Sequence, residues 1–348
     1  MYGAPPVGAE VWYAGIKIVD PNASAAPLGS FKVPGYDPTR DFDKLKAFWG
    51  LLKEGRTEEN KIISILLPLT VHERDALNDY ALAKVGKDIS GLIEPYTFSG
   101  EVRNIVRALV LGPLNYDVEL ANKSLSGIGT NEMLLTELIL NRSQQDLRML
   151  REAYKKRYSK DLVDAVKSDL SGKFERLFVM ALNTQRTPDT VPVDMAQVTA
   201  DVERLIKAGK NKEEIHFIEI FVNRSQPHLA TVITQYGQKH KSLSKVIKKS
   251  FSGDMENALL YILNGVKPKR DGQGIWRDAK LLEKTMAGLG TRDSTLVYRV
   301  MRGHWDRARF SKVKAAYKSR YGKELEGRIR GETSGPYREA ILAVVKLS

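Results

Sequence analysis

Hydrophobic residues recur with helical spacing at four corresponding places along the chain. Two residues after the glycine of each of four Ser-Gly pairs, an apolar set begins at positions i, i+3, i+4, i+7 and i+8. This spacing puts the apolar residues on one face of a helix. Four sets in the same phase indicate an internal repeat of a helical unit. The pairs are Ser99-Gly100, Ser171-Gly172, Ser252-Gly253 and Ser334-Gly335.

A second motif repeats with a similar interval. Asn141-Arg142-Ser143-Gln144 returns as Asn223-Arg224-Ser225-Gln226. Each serine is predicted to cap the following helix, because its hydroxyl can accept a bond from a free backbone N–H. Alternating β-branched runs bounded by turn residues are nearly absent, so strands are not expected. The pattern therefore predicts an all-α fold.

The repeats define the predicted domain organisation. Each is a group of short helices that cannot bury its apolar face alone, so the repeats must pack together. Residues 1–40 contain six of the 14 prolines and are predicted to form an extended Pro/Gly/Ala-rich tail. Four of its aromatic residues, Tyr2, Trp12, Tyr13 and Phe31, can dock parts of this tail on the folded body. The predicted helical repeats 1 to 4 span residues 41–113, 114–185, 193–265 and 274–348.

Composition narrows the classes of function. The 348 residues carry a net charge of +13, which favours polyanionic partners such as nucleic acid or an anionic membrane surface. Cysteine is absent, which excludes disulfides, thiolate metal sites and cysteine nucleophiles. No apolar run is long enough for a spanning helix, and the start of the chain does not resemble a signal peptide. Catalytic His-Glu-x-x-His and phosphate-loop motifs are also missing, so no enzymatic activity is predicted.

Two of the repeats contain a glycine-rich loop before a helical pattern. Residues 125–132 of repeat 2 read Leu-Ser-Gly-Ile-Gly-Thr-Asn-Glu, and residues 286–293 of repeat 4 read Met-Ala-Gly-Leu-Gly-Thr-Arg-Asp. An ordinary helix–helix turn accounts for part of this pattern, with Thr130 or Thr291 capping the next helix. It does not account for two glycines spaced by one residue, which let backbone carbonyls turn outward around a small ligand.

The same two repeats contain an acid shortly before the Ser-Gly pair. Asp169 follows Gly129 by 40 residues, and Glu332 follows Gly290 by 42 residues. Calcium takes about 6–8 oxygen ligands from carbonyls, carboxylates and water. Three loop carbonyls and one bidentate carboxylate supply about five of these, which leaves positions for water or a lipid phosphate oxygen. Loop and acid together therefore predict calcium binding.

These features resemble the annexin family over residues 41–348. The resemblance rests on four helical repeats, Gly-x-Gly-Thr loops and an acid some forty residues further on. It implies an all-α fold of four homologous five-helix repeats in a curved disc, with calcium loops on the convex, membrane-facing side. It also implies the calcium ligands, which are the carbonyls of Leu125, Gly127 and Gly129 with the Asp169 carboxylate, and the carbonyls of Met286, Gly288 and Gly290 with the Glu332 carboxylate.

Repeats 1 and 3 depart from the family's pattern. Repeat 1 has Glu54 and Arg56 where the glycines belong, and Thr97 at the acid position. Repeat 3 reads Ala-Gly-Lys-Asn-Lys at residues 208–212 and has Ser250 at the acid position. Lysines at the loop would repel a divalent cation. Degenerate calcium loops are therefore expected in both repeats.

The leading hypothesis is calcium-dependent, peripheral binding to anionic phospholipid membranes through repeats 2 and 4. The lysines near the repeat 3 loop are either direct phosphate contacts or an ordinary solvated surface. A cytoplasmic protein is expected, monomeric in solution and able to assemble on membranes, whose tail can bind a protein partner. The alternative is a basic helical scaffold that binds nucleic acid or cytoskeletal partners without calcium, although no nucleic-acid-binding motif is present.

Overall fold

The computed structural model describes residues 10–21, 27–53, 59–93, 100–126, 131–240, 242–288 and 290–348. The chain divides into two compact units. One unit combines residues up to Tyr116 with Ala279–Ser348, and the other is Asp117–Asp278. Predicted repeats 1 and 4 therefore fall mostly in the first unit, and repeats 2 and 3 in the second.

Helices make up most of the described chain. One of them, α5, is two helices joined across a kink at Gly112 (φ 67°, ψ 177°), immediately before Pro113. With α5 counted twice, the described residues contain four sets of five helices, which confirms the predicted fold class. The helices are α1 (Pro38–Lys53), α2 (Glu59–Leu66), α3 (Val71–Val85), α4 (Ile89–Ile93), α5 (Val102–Leu125), α6 (Glu132–Ile139), α7 (Gln144–Tyr158), α8 (Leu162–Asp169), α9 (Gly172–Asn183), α10 (Met195–Asn211), α11 (Glu214–Asn223), α12 (Gln226–Lys239), α13 (Leu243–Ser250), α14 (Gly253–Val266), α15 (Ile275–Met286), α16 (Asp293–Trp305), α17 (Arg307–Tyr321), α18 (Leu325–Glu332) and α19 (Gly335–Leu347).

The four apolar stripes found in the sequence form the cores of both units. They lie on α5, α9, α14 and α19, and most of their residues are buried. In the second unit α9 packs on α11 and α14 packs on α6, whereas in the first unit α19 packs on α2 and α16. None of the described helices is long and apolar enough to cross a membrane.

Two predicted helix caps are confirmed. The Ser143 hydroxyl accepts from the Asp146 amide at 3.1 Å, and the Asp146 carboxylate accepts in return from the Ser143 amide at 3.2 Å. The Ser225 hydroxyl accepts from the His228 amide at 3.3 Å. These bonds satisfy backbone donors at the starts of α7 and α12.

The N-terminal region contains strands that the sequence pattern had not predicted. β1 (Glu10–Tyr13) pairs antiparallel with β2 (Ile16–Val19) in a two-stranded sheet. Ala14 and Gly15 both have positive φ, as a tight hairpin turn requires. The sequence does alternate as a strand requires, since Ile16 and Ile18 are buried and Lys17 between them is exposed. The strands are too short for such a run to be distinctive.

The expected docking of the tail is confirmed in part. Tyr13 is 1% exposed and Phe31 is 9% exposed, and the amide of Phe31 donates to the Asp79 carboxylate of α3 at 3.0 Å. Trp12, by contrast, is 61% exposed. Tyr2 lies outside the described residues.

Candidate metal centre

The loop of repeat 4 begins at the C-terminal end of α15, where Met286 is fully buried. Gly288 and Gly290 are exposed and have φ angles of 109° and 82°. A Cβ atom placed on either glycine would meet no heavy atom within 4 Å, so lack of space does not require glycine. The backbone conformation does require it, because residues with a side chain rarely adopt positive φ.

The same backbone hydrogen bond closes the loops of repeats 2 and 4. In repeat 4 the Arg292 amide donates to the Thr285 carbonyl at 2.8 Å. In repeat 2 the Asn131 amide donates to the Ser124 carbonyl at 3.2 Å. The two bonds join residues at equal separations along the chain. This shared closure supports the equivalence of the two loops.

A threonine joins the repeat 4 loop to its distant acid. Glu332 is the last residue of α18, and its side chain is 25% exposed. The Thr291 hydroxyl donates to the Glu332 backbone carbonyl at 3.2 Å and lies 3.5 Å from its carboxylate. The threonine that follows Gly290 therefore contacts the end of α18, so Glu332 lies next to the loop.

The prediction that Thr291 caps α16 is wrong. The N-cap residue is Arg292, which makes no side-chain capping bond, and the Thr291 hydroxyl is directed at Glu332 instead. In repeat 2 the cap of α6 is Asn131, whose side chain accepts from the Leu134 amide at 3.0 Å. Thr130 lies outside the described residues.

Arg328, on α18, connects two of the predicted calcium ligands in repeat 4. Its Nη2 atom donates to the Met286 carbonyl at 2.6 Å, and its Nη1 atom forms an ion pair with the Glu332 carboxylate. Its Nε atom lies 3.5 Å from the Glu283 carboxylate. Partial burial lowers the pKa of Arg328, but attraction to Glu283 and Glu332 outweighs this effect and raises it above the ordinary value. The guanidinium is therefore firmly charged.

The residues of repeat 4 fit a hard cation. Their donors are a backbone carbonyl and a carboxylate, which are the oxygen ligands that calcium prefers. A positive group, the Arg328 guanidinium, stands between these oxygens in this structure. This arginine was not predicted from the sequence. The sequence feature that could have indicated it is its position four residues before Glu332, since residues i and i+4 share one face of a helix.

The structure describes the repeat 2 site only in part. Leu125 is the last residue of α5, and Asp169 is the last residue of α8 and is partly exposed. Gly127 and Gly129 lie outside the described residues. Both acids, Asp169 and Glu332, thus end the fourth helix of their repeat, two residues before the serine of the Ser-Gly pair.

Repeat 3 has a different turn at the equivalent place. The Glu213 amide donates to the Ala208 carbonyl at 2.9 Å, so the turn closes over fewer residues than in repeats 2 and 4. The hydroxyl of Ser250 donates to the Gly209 carbonyl at 3.1 Å. A neutral hydrogen bond therefore joins the turn to the end of α13, where repeat 4 has a carboxylate. The corresponding residues of repeat 1, Glu54, Arg56 and Thr97, lie outside the described residues.

Lysines surround the repeat 3 turn. Ser250 contacts Gly209, and each of these residues is next in sequence to an exposed lysine, Lys249 and Lys210. Four more exposed lysines lie on the same two helix ends and on the outer face of α13. We call the six residues the repeat 3 lysine surface, and they are Lys207, Lys210, Lys212, Lys245, Lys248 and Lys249.

Side-chain metal clusters of the usual kind are not found in the described part of the chain. No group of three or more His, Cys, Asp or Glu residues there could hold a metal ion. The predicted sites differ from such clusters, because each has one carboxylate and takes its other oxygens from the backbone.

Comparison with known proteins gives matches over nearly the whole chain. The Annexin family model matches residues 116–181, 200–262 and 277–344. Annexin C1 of Cryptococcus neoformans var. grubii is 37% identical over 96% of this chain and 70% of its own length. Mouse Annexin A11 is 32% identical over 95% of this chain, which spans 65% of that relative. A solved structure of a mutant of annexin A8 superposes with a TM-score of 0.80 at 28% identity, covering 91% of this chain and 97% of the other.

Proposed function

The chain belongs to the annexin family of calcium-dependent phospholipid-binding proteins, and from this premise we propose that it binds anionic membranes through calcium sites in repeats 2 and 4. In each site, loop carbonyls and one distant carboxylate hold the ion. The observation that carries the proposal is the position of Glu332 beside the Met286 carbonyl, with a cationic group between them.

Calcium would supply a bridge between protein and lipid. The protein ligands would be the carbonyls of Leu125, Gly127 and Gly129 with Asp169, and those of Met286, Gly288 and Gly290 with Glu332. About five protein oxygens leave part of the calcium shell open, and a lipid phosphate oxygen suits these positions. The protein would then be peripheral, cytoplasmic and recruited when calcium rises. Sedimentation with phosphatidylserine vesicles, with and without a chelator, tests the proposal directly.

The repeat 3 lysine surface would add attraction that needs no calcium. A lysine near an anionic leaflet contributes about 1 kcal/mol to binding. The nearby acid Glu213 is engaged with Asn211 at 3.1 Å and with His216 at 3.4 Å. The six lysines outnumber this acid, so the surface around the turn is positive. Because such attraction is long-range, salt should screen it within about 8–10 Å.

Removal of two lysines tests this surface. We expect Lys210→Gln with Lys249→Gln to weaken chelator-resistant binding to phosphatidylserine vesicles roughly thirtyfold at low salt. The matched control is Lys155→Gln with Lys156→Gln at the exposed end of α7, which leads to the start of α8. Asp169 is at the opposite end of α8, an eight-residue helix about 12 Å long. Equal loss in both variants would show a general charge effect and contradict a defined surface.

A calcium-soaked crystal tests which repeats hold the ion. We expect density for calcium beside Asp169 and Glu332 and none at the repeat 3 turn, because Ser250 already engages the Gly209 carbonyl and supplies no negative charge. Anomalous scattering identifies the ion. A well-ordered calcium at residues 208–212 would contradict the assignment and would require ligands from elsewhere in the chain.

A further inference from the structure

Arg328 has no charged counterpart in the other repeats. The residue four positions before the acid position is Ile93 in repeat 1, Ala165 in repeat 2 and Val246 in repeat 3. In repeat 3 this position faces the turn, because the Val246 side chain lies close against Gly209. Repeat 4 thus places a guanidinium at a position that faces the loop and that is apolar elsewhere in this chain.

We propose that Arg328 is an internal cation that occupies the calcium position of repeat 4 and must leave it before calcium binds. This inference rests on the proposed function, because it assumes that repeat 4 binds calcium. The supporting geometry is that Arg328 contacts both the Met286 carbonyl, at 2.6 Å, and the Glu332 carboxylate. A calcium ion needs the same oxygens, and two positive groups in one place repel each other.

A competing internal cation weakens the apparent affinity without changing the ligands. The apparent dissociation constant equals the intrinsic value divided by the fraction of molecules whose site is free. If Arg328 occupies the site in about nine of ten molecules, calcium binds about tenfold more weakly than the ligands alone would allow. Repeat 2 has Ala165 at this position, so its site carries no such penalty from this residue.

The structure also provides a place for the displaced guanidinium. Glu283, on α15, lies 3.5 Å from the Arg328 Nε atom, and it accepts a hydrogen bond from the Tyr317 hydroxyl. Arg328 can therefore give up Met286 and Glu332 and keep an acidic partner. A buried charge left without any partner would make displacement far more costly. The arrangement acts as a switch that raises the calcium level at which repeat 4 responds.

The test uses the full chain with Asp169→Asn, so that repeat 4 is the remaining proposed site. In this background we expect Arg328→Ala to lower the calcium midpoint about tenfold, measured by calorimetry without lipid and by sedimentation with phosphatidylserine vesicles. Alanine is the residue that repeat 2 has at this position. The matched control is Arg330→Ala, which removes the same charge from an exposed position on α18 and should leave the midpoint within about twofold.

The outcomes separate this inference from the proposed function. A lower midpoint in Arg328→Ala alone supports the internal cation. An unchanged midpoint, a higher one, or an equal decrease in Arg330→Ala overturns it, while calcium-dependent vesicle binding by the parent chain leaves the proposed function intact. If neither the parent nor Arg328→Ala binds calcium, repeat 4 is not a calcium site, and the inference fails with that part of the proposal. Circular dichroism of each variant verifies that the fold is retained.

Discussion

The variant with Asp169→Asn and Glu332→Gln is expected to lose calcium-dependent sedimentation with phosphatidylserine vesicles. Each amide keeps the size of the side chain but removes its charge and its bidentate coordination of calcium. Each proposed site has one carboxylate among ligands that are otherwise neutral carbonyls, so no other negative ligand compensates. The measurement is the vesicle-bound fraction over a calcium titration, with a chelated sample as baseline.

The positions of the two acids indicate that this variant keeps the native fold. Asp169 and Glu332 end α8 and α18, where the helix dipole disfavours negative charge. Glu332→Gln also breaks the ion pair with Arg328, but this pair is partly exposed and Arg328 keeps Glu283 as a partner, so we expect the melting temperature to change little. The matched control is Asp164→Asn with Glu326→Gln, which removes acids from the first turns of the same helices. That control should keep the wild-type calcium midpoint, and an unchanged midpoint in the first variant would contradict the ligand assignment.

The helical framework could be predicted because its signals are local and repeated. The stripes on α9 and α14, for example, are buried as their spacing indicates, since only one face of each helix can meet the core. The serine caps of α7 and α12 could be predicted in the same way, because a capping bond spans only three residues.

The site could be predicted only as far as its residue types. The resemblance of the loop and the acid to the family's pattern predicts Met286 and Glu332 as ligands. In the structure both residues contact Arg328, which lies between them. The sequence could not reveal the direction of the Thr291 hydroxyl, because a capping bond and a bond to a distant carbonyl use the same hydroxyl group. The hairpin at β1 and β2 was missed because four-residue strands give too short an alternation.

Calcium and lipid should strengthen each other's binding in the wild-type chain. Without lipid, about five protein oxygens predict weak calcium affinity, with a dissociation constant of roughly 10⁻⁴–10⁻³ M. A phosphate oxygen that completes the calcium shell tightens the ion, and linkage requires calcium to tighten lipid binding by the same factor. We expect phosphatidylserine vesicles to lower the calcium midpoint by on the order of tenfold to a hundredfold.

Salt separates this coordination from attraction by the lysines. Attraction between exposed charges is screened within about 8–10 Å at physiological ionic strength, whereas direct coordination is screened far less. Raising the salt should therefore abolish the chelator-resistant binding that the repeat 3 lysine surface supports, and weaken only partly the binding at saturating calcium. Calorimetric calcium titrations with phosphatidylserine vesicles, phosphatidylcholine vesicles and no lipid measure the coupling. Equal midpoints with and without phosphatidylserine would mean that lipid does not share the ion, so the loops would be structural calcium sites and the lysines alone would attach the protein to membranes.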